Sequence, residues 1–265
     1  MKIITLLNEK GGVGKTTLAT HIAAGLAVKG QRVVLVDSDP QGHATVALGL
    51  PKEPGLYDLL VRDASFKDVL RFIPPKSYQV GSQPPTGQLF IVPSNVESRN
   101  ISNSISDSFA VSERFHELEE TIDVVIFDTS PTPSLLHGSI YIATDAVLYP
   151  TTCEYLSFDG LVESIKHRGN AESYRKQWGL HEIQVLGIVP TMYRTKTLEH
   201  AENLRQLQSQ FGKLVWEPIP QRTIWAEAAA IRRPVFSFAP DSKAAEDAWG
   251  LIRRVQEAIS SDSEA

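Results

Sequence analysis

Cysteine is nearly missing: Cys153 is the one thiol in 265 residues. A lone cysteine excludes an internal disulfide framework and any cysteine-only zinc or iron–sulfur site within one chain, and it fits a reducing compartment. Long apolar runs are missing too. The stretch Met1-Lys2-Ile3-Ile4-Thr5-Leu6-Leu7 meets Asn8-Glu9-Lys10 after five uncharged residues, too few for a signal-peptide core or a membrane span, and no later run approaches spanning length. Nor is there an excess of positive charge. The formal net charge of -5 argues against a wholesale basic nucleic-acid binder. With 42% apolar and 22% charged residues, the composition is that of an ordinary globular protein with one sizeable core.

Short β-branched runs, at residues 3–7, 32–37, 89–92, 123–128, 146–149 and 184–189, alternate with segments of helical length. Runs apolar on both faces predict a parallel sheet covered on both sides, hence an α/β doubly wound fold with a mainly parallel sheet and helices on both faces. The first crossover helix is legible: Leu18, Ile22 and Leu26 fall four apart, Ala19 and Ala23 sit beside them, and Gly30 stops it. The last helix, about residues 244–259, places Ala245, Trp249, Ile252, Val255 and Ile259 on one stripe. Residues 74–87, rich in proline and glycine, predict a surface loop. The pattern predicts one domain over residues 1–259 and a polar, frayed tail over 260–265.

The strongest signal is Lys10-Gly11-Gly12-Val13-Gly14-Lys15-Thr16-Thr17, set between a predicted strand and a predicted helix. This is the context a P-loop needs. Glycines at 11, 12 and 14 let backbone N–H groups turn inward around phosphate oxygens, and the helix start adds its positive dipole end. Gly11, Gly12, Val13, Gly14, Lys15, Thr16 and Thr17 are therefore the expected phosphate-binding residues, with Lys15 reaching the β- and γ-phosphates and Thr16 placed to ligate Mg2+. The strand 123–128 ends in Asp128, whose carboxylate would face the magnesium shell. The run 33–42 ends similarly, in Asp37 and Asp39, and ligands in such sheets gather at the carboxyl ends of strands.

Together these residues resemble the ParA/Soj partition ATPases of the deviant Walker A class, a group that includes the division-site protein MinD and nitrogenase iron protein. The resemblance extends over residues 37–42 and 153–161 and over Ile219-Pro220 with Glu227-Ala228, almost the whole chain. It implies a Mg2+-dependent ATPase that binds ATP and pairs into an ATP-sandwich homodimer. Lys10 would be the signature lysine that crosses to the partner's ATP, Asp39 the acid that positions the hydrolytic water, and Asp37 part of the magnesium and switch environment. Pro190, Thr191, Met192 and Pro220 are candidates for the base pocket. The resemblance further implies a cytoplasmic, nucleoid-associated switch that binds non-specific DNA, positions cargo, and is released when a ParB-like adaptor stimulates hydrolysis.

The chain departs from the family where relatives often carry Cys-Pro-Pro, having Thr129-Ser130-Pro131-Thr132-Pro133 after Asp128, and where they often read Pro-Arg-Asn-x-Arg, having Pro220-Gln221-Arg222-Thr223-Ile224. Residues 161–234 nonetheless carry eleven bases against seven acids, a basic region on an acidic protein. Arg194, Lys196, Arg222, Arg232 and Arg233 are the candidate DNA contacts, reading phosphate charge. An operator-reading amino-terminal extension is not expected, because the first strand begins at residue 2. Two alternatives compete. A MinD-like membrane-associated organiser would need a basic amphipathic last helix, whereas here Arg253 and Arg254 precede Asp262 and Glu264, and no stable membrane association is expected. A metabolic or redox enzyme of the same group would need paired cysteines or an organic-substrate pocket.

Overall fold

The structure, a computed structural model, describes residues 1–154 and 157–260. Tyr155 and Leu156 of the family-like segment, and residues 261–265 of the expected tail, lie outside the described residues. Seven strands, β1 (Lys2–Leu6), β2 (Arg32–Asp37), β3 (Arg71–Phe72), β4 (Gln88–Val92), β5 (Val124–Asp128), β6 (Ala146–Thr152) and β7 (Gln184–Thr191), form one sheet in the order β3-β4-β2-β5-β1-β6-β7. All neighbours run parallel except the edge pair β3–β4. The longer helices are α1 (Lys15–Val28), α2 (Leu135–Ala143), α3 (Ser157–Gln177), α4 (Leu198–Phe211), α5 (Thr223–Ala230) and α6 (Lys243–Ser260).

Alternation along the strands builds a core on each face of the sheet. Ile4, Leu6, Val33, Leu35, Val124 and Ile126 point to the face covered by α1 and α6, while Val34, Val36, Val125 and Phe127 point to the face covered by α2, as the period of two requires. Truncating a fully buried residue of either core, such as Ile22, would cost about 2–5 kcal/mol. The apolar stripe of α6 is spent in this packing: Ala245, Ile252 and Val255 are buried, with Trp249 and Ile259 partly buried against the same core. Among the described residues, no helix is long and apolar enough to cross a membrane.

The six longer strands fall where the β-branched runs do. β6 and β7 run further than their apolar runs, through Pro150 and Pro190. Pro150 lies past the end of β1, which pairs with β6 only as far as Leu148, so its missing N–H is tolerated there. β3 is too short, at two residues, to leave a periodic signal. Residues 74–87 include a 3-10 turn at Pro75–Ser77 and are tied inward, with Tyr78 fully buried and Gln79 O accepting from Ser237 Oγ at 2.7 Å.

His21 links α1 to the segment before α6. Val235 N–H donates to Nε2 at 2.9 Å, so Nδ1 carries the hydrogen and donates to Thr17 O at 2.7 Å. The ring also packs against Trp225 and Phe236. Burial pushes its pKa down to about 4, against the Thr17 carbonyl, which raises it. The unfolded chain binds this proton near pH 6.5 and the folded chain only near 4, so stability is full above about 6.5 and is lost as pH falls through 4. The loss amounts to about 3 kcal/mol. Urea unfolding of the parent and of His21→Gln between pH 7 and 4 should show the parent losing about 3 kcal/mol more than the variant; parallel curves would refute the linkage.

Candidate active site

The carboxyl ends of β1, β2, β5 and β7 converge on the turn between β1 and α1. Gly12 and Gly14 have φ of +76° and +90°, left-handed backbone that glycine takes without steric cost, and Gly14 caps α1. The cap leaves the first N–H groups of α1 available to an anion. Thr191 at the end of β7 fastens the turn, its hydroxyl donating to Val13 O at 2.8 Å. Lys15 is buried and its ammonium donates to Asn8 O at 2.7 Å and Lys10 O at 3.0 Å. Burial lowers its pKa, while the charges of Asp128 and Asp39 oppose that shift.

Asp37 and Asp128 are partners in register across β2 and β5, and both are fully buried. Asp37 Oδ2 accepts from Thr45 N–H at 2.8 Å and the Thr45 hydroxyl at 2.7 Å, and Oδ1 from Asp39 N–H at 3.3 Å. Burial still pushes its pKa up to about 6. Asp128 has no such donors. Among the described residues neither of its buried oxygens has a hydrogen-bond partner; the Thr16 hydroxyl approaches without completing a bond of normal geometry. Burial, and then the charge of Asp37, push its pKa up to about 8. A buried acid with unpartnered oxygens beside Thr16 is a donor set that suits a hard divalent cation, so Thr16 and Asp128 fit Mg2+. Asp37 spends its oxygens on shaping the turn that carries Asp39.

Above this pair lies a cleft of about 930 Å³ lined by residues 11–17, by Ser38, Asp39 and Pro40, and by Ser130, Pro131 and Thr132. Asp39 is in its wall, with Oδ1 accepting from Gln41 N–H at 2.8 Å. Lys10 is not among the described residues that line it. Its ammonium instead donates to Ser157 Oγ at 2.8 Å and lies 3.6 Å from Glu154 Oε2, while its N–H donates to Asn8 Oδ1 at 2.8 Å. Gly160 permits this approach of α3: a β-carbon there would sit 2.9 Å from both Lys10 Cβ and Lys10 N. Asn8, which supports both lysines, and Ser157 are residues that the sequence reading missed. Asn8 sits two residues before the motif, and that position was the one available hint.

A second, mostly apolar cavity of about 280 Å³ adjoins the start of α1, lined by Gly14, Thr17, Thr191, Met192, Pro220 and Trp225 among others. Three of the four base-pocket candidates thus meet there. Pro190 does not line it; it is buried in β7, where its carbonyl accepts from Ile219 N–H at 2.8 Å. The basic candidates divide. Arg194 and Arg222 flank Gln221, with Arg194 Nε on Gln221 Oε1 at 2.7 Å and Arg222 Nε on Asp247 at 3.0 Å. Arg232 and Arg233 follow the far end of α5, and Arg233 donates to Ser237 Oγ at 2.8 Å. Arg194, Lys196 and Arg232 are exposed.

A family model described as an AAA domain matches residues 1–176. The sporulation initiation inhibitor protein Soj of Bacillus subtilis is 30% identical over 258 residues, covering 96% of this chain and 98% of that protein. The chromosome-partitioning ATPase Soj of Thermus thermophilus is 33% identical over 261 residues, with 96% and 97% covered. The chain belongs to the Soj/ParA family of partition ATPases. Among solved structures, apo McdA of Cyanothece matches with a TM-score of 0.78 at 20% identity over 98% of this chain and 99% of that one, a likeness that bears on the fold. The ATPase class follows from family membership.

Lys15→Ala should weaken ADP binding by about 100-fold or more, equivalent to roughly 3 kcal/mol of charge-assisted contact. Asp128→Asn should behave differently: it should bind ADP without added Mg2+ about as well as the parent, but lose the gain that Mg2+ confers. Calorimetry with and without the cation separates the two, and a full Mg2+ response in Asp128→Asn would remove Asp128 from the metal site.

Proposed function

We propose that residues 1–259 form one P-loop ATPase domain that acts as a Mg-ATP-dependent switch. In this reading ATP pairs two chains into a sandwich dimer, the dimer binds nucleoid DNA without sequence preference, and a ParB-like or other cargo-bound adaptor stimulates hydrolysis and release. The protein would thus be cytoplasmic and nucleoid-associated, and would segregate or position DNA or another cargo. The observation that carries this reading is the placement of Lys10. It belongs to the phosphate motif, yet its ammonium lies on Ser157 and Glu154, outside the cleft of its own chain. This placement supports a role at a neighbour's nucleotide. There it would neutralise charge on the transferred phosphoryl group, as an arginine finger does, and make hydrolysis conditional on pairing.

The phosphates in this reading are held by residues 11–17, magnesium by Thr16 and Asp128, with Asp37 shaping the switch beside them, and Asp39 orients the attacking water. Thr191, Met192 and Pro220 receive the base. Lys10→Ala should therefore retain ADP affinity within about threefold but lose ATP-dependent dimerisation in size-exclusion chromatography. Asp39→Ala should bind and pair but hydrolyse slowly, giving a long-lived ATP dimer retained on DNA. Normal turnover by either variant contradicts its assigned role. For DNA, alanine at Arg194, Lys196 and Arg232 together should abolish retention on two unrelated duplexes while pairing survives, and the parent's affinity should fall steeply with salt. Binding that is independent of ATP, or that prefers one duplex, counts against the phosphate-reading dimer.

A further inference from the structure

The loop between Asp128 and α2, where the chain departs from the family pattern, is backed by the side chain of His137. Ser130, Pro131 and Thr132 form a wall of the phosphate cleft, and Pro131 Cγ lies 3.9 Å from where a β-carbon on Gly11 would be. Besides the backbone bond from Gly138 N–H to Ser134 O at 3.3 Å, two side-chain hydrogen bonds fasten this loop to α2, and among the described residues both end on His137. Its Nε2 is 3.1 Å from Ser130 O, and its Nδ1 is 3.0 Å from Ser134 Oγ. A carbonyl can only accept, so Nε2 carries the hydrogen, and in the neutral ring Nδ1 accepts from the Ser134 hydroxyl. Burial, the largest influence, keeps the ring neutral; Lys15 and His167 act in the same direction, against the Ser130 carbonyl and Asp39.

The ring also stands in a partition. It lines the phosphate cleft on one side and, on the other, a cavity of about 360 Å³ bordered by Asn8, Glu9, Tyr141 and His167. Behind it α2 is fixed, with Leu136 and Ile140 buried in the core and Ser139 Oγ accepting from Val111 N–H. His137 thus connects a rigid helix to the cleft wall that follows the magnesium-side acid.

We infer that His137 is a positioning residue for hydrolysis: it clamps the Ser130–Ser134 loop against the Gly11 side of the phosphate cleft. The inference rests on the Mg-ATPase reading above. Phosphate binding draws on the N–H groups of α1 and on Lys15, which do not depend on this loop. Loosening the loop should therefore disturb alignment during phosphoryl transfer more than it disturbs affinity.

The test compares His137→Phe, which fills the ring volume without either bond, with His137→Gln, whose amide can still donate to Ser130 O. His137→Phe should lower kcat by about 10- to 100-fold with the Kd for ADP within about threefold and Tm unchanged. His137→Gln should recover a substantial part of the loss. Hydrogen exchange at residues 129–136, which requires no nucleotide, should rise in the Phe variant and not in the Gln variant. Unchanged exchange in the Phe variant overturns the clamp, whatever ATP turnover shows. Equal losses in both variants, or a parallel loss of kcat, ADP affinity and Tm, overturn it as well. Failure of the parent to bind ADP or to hydrolyse ATP would instead defeat the ATPase reading, and the exchange result would still decide whether His137 holds the loop.

Discussion

Two carboxylates buried side by side set the terms for everything around them. β2 and β5 pair in register at Asp37 and Asp128, so the parallel sheet brings both acids to one edge. Two like charges out of water repel strongly, and the chain resolves the conflict in two ways. Asp37 receives donors from Thr45 and Asp39; Asp128 receives none of normal geometry, and its proton is favoured up to a pKa of about 8. A divalent cation beside Thr16 would reverse that preference, because its charge would be the largest in the site. The cost of burying Asp128 would then be recovered only with the metal in place, which would couple magnesium to the state of the cleft.

The same constraint explains the different fates of two lysines five residues apart. Lys15 lies on the first turn of α1, where the loop folds back over it and its ammonium meets the carbonyls of Asn8 and Lys10. It supplies the positive charge nearest the acids, and Asp128 and Asp39 offset its burial. Lys10 precedes the glycines, and close approach of Gly160 holds its backbone against α3. Its ion pair with Glu154 is half open to solvent, with side chains 28% and 47% exposed. Such pairs contribute little, about 0–1 kcal/mol. The ammonium can therefore leave Ser157 and Glu154 for a stronger anion at small cost, as a role across a dimer would require.

What was legible in the sequence was local. β1, β2, β4 and β5 are apolar on both faces and could be located from composition alone, and the phosphate loop carries its own context of strand and helix. β3 was not legible, because two residues contain no period. The base cavity was legible only in part: it draws on residues 14–17, 191–192 and 219–229, three segments whose spacing in the chain says nothing of their meeting. Met192 and Pro220 came from resemblance, whereas Trp225 could not be foreseen. His21 was hidden for a related reason. Its position in an apolar helix suggested nothing, and its second partner, Val235, is 214 residues away.

The basic surface shows how far charge counting can mislead. Eleven bases against seven acids over residues 161–234 suggest a patch, but charge available to a phosphate depends on what each base already holds. Arg175 is buried and donates to the carbonyls of Tyr141, Ile142 and His181. Arg168 pairs with Glu172, Lys166 with Glu163, and Arg222 with Asp247. These charges are already committed; of the seven other bases, Lys176, Arg194, Lys196, Arg205, Lys213 and Arg232 are exposed, on a chain whose net charge is -5. Six exposed cations spread over a net acidic chain give weak attraction to DNA at physiological salt. The pairing proposed above would duplicate them on one body, and contacts made together multiply in affinity where separate ones add little. In the switch proposed above, such a chain would bind DNA as a dimer and release it as a monomer, since its own net charge opposes any binding that pairing does not reinforce.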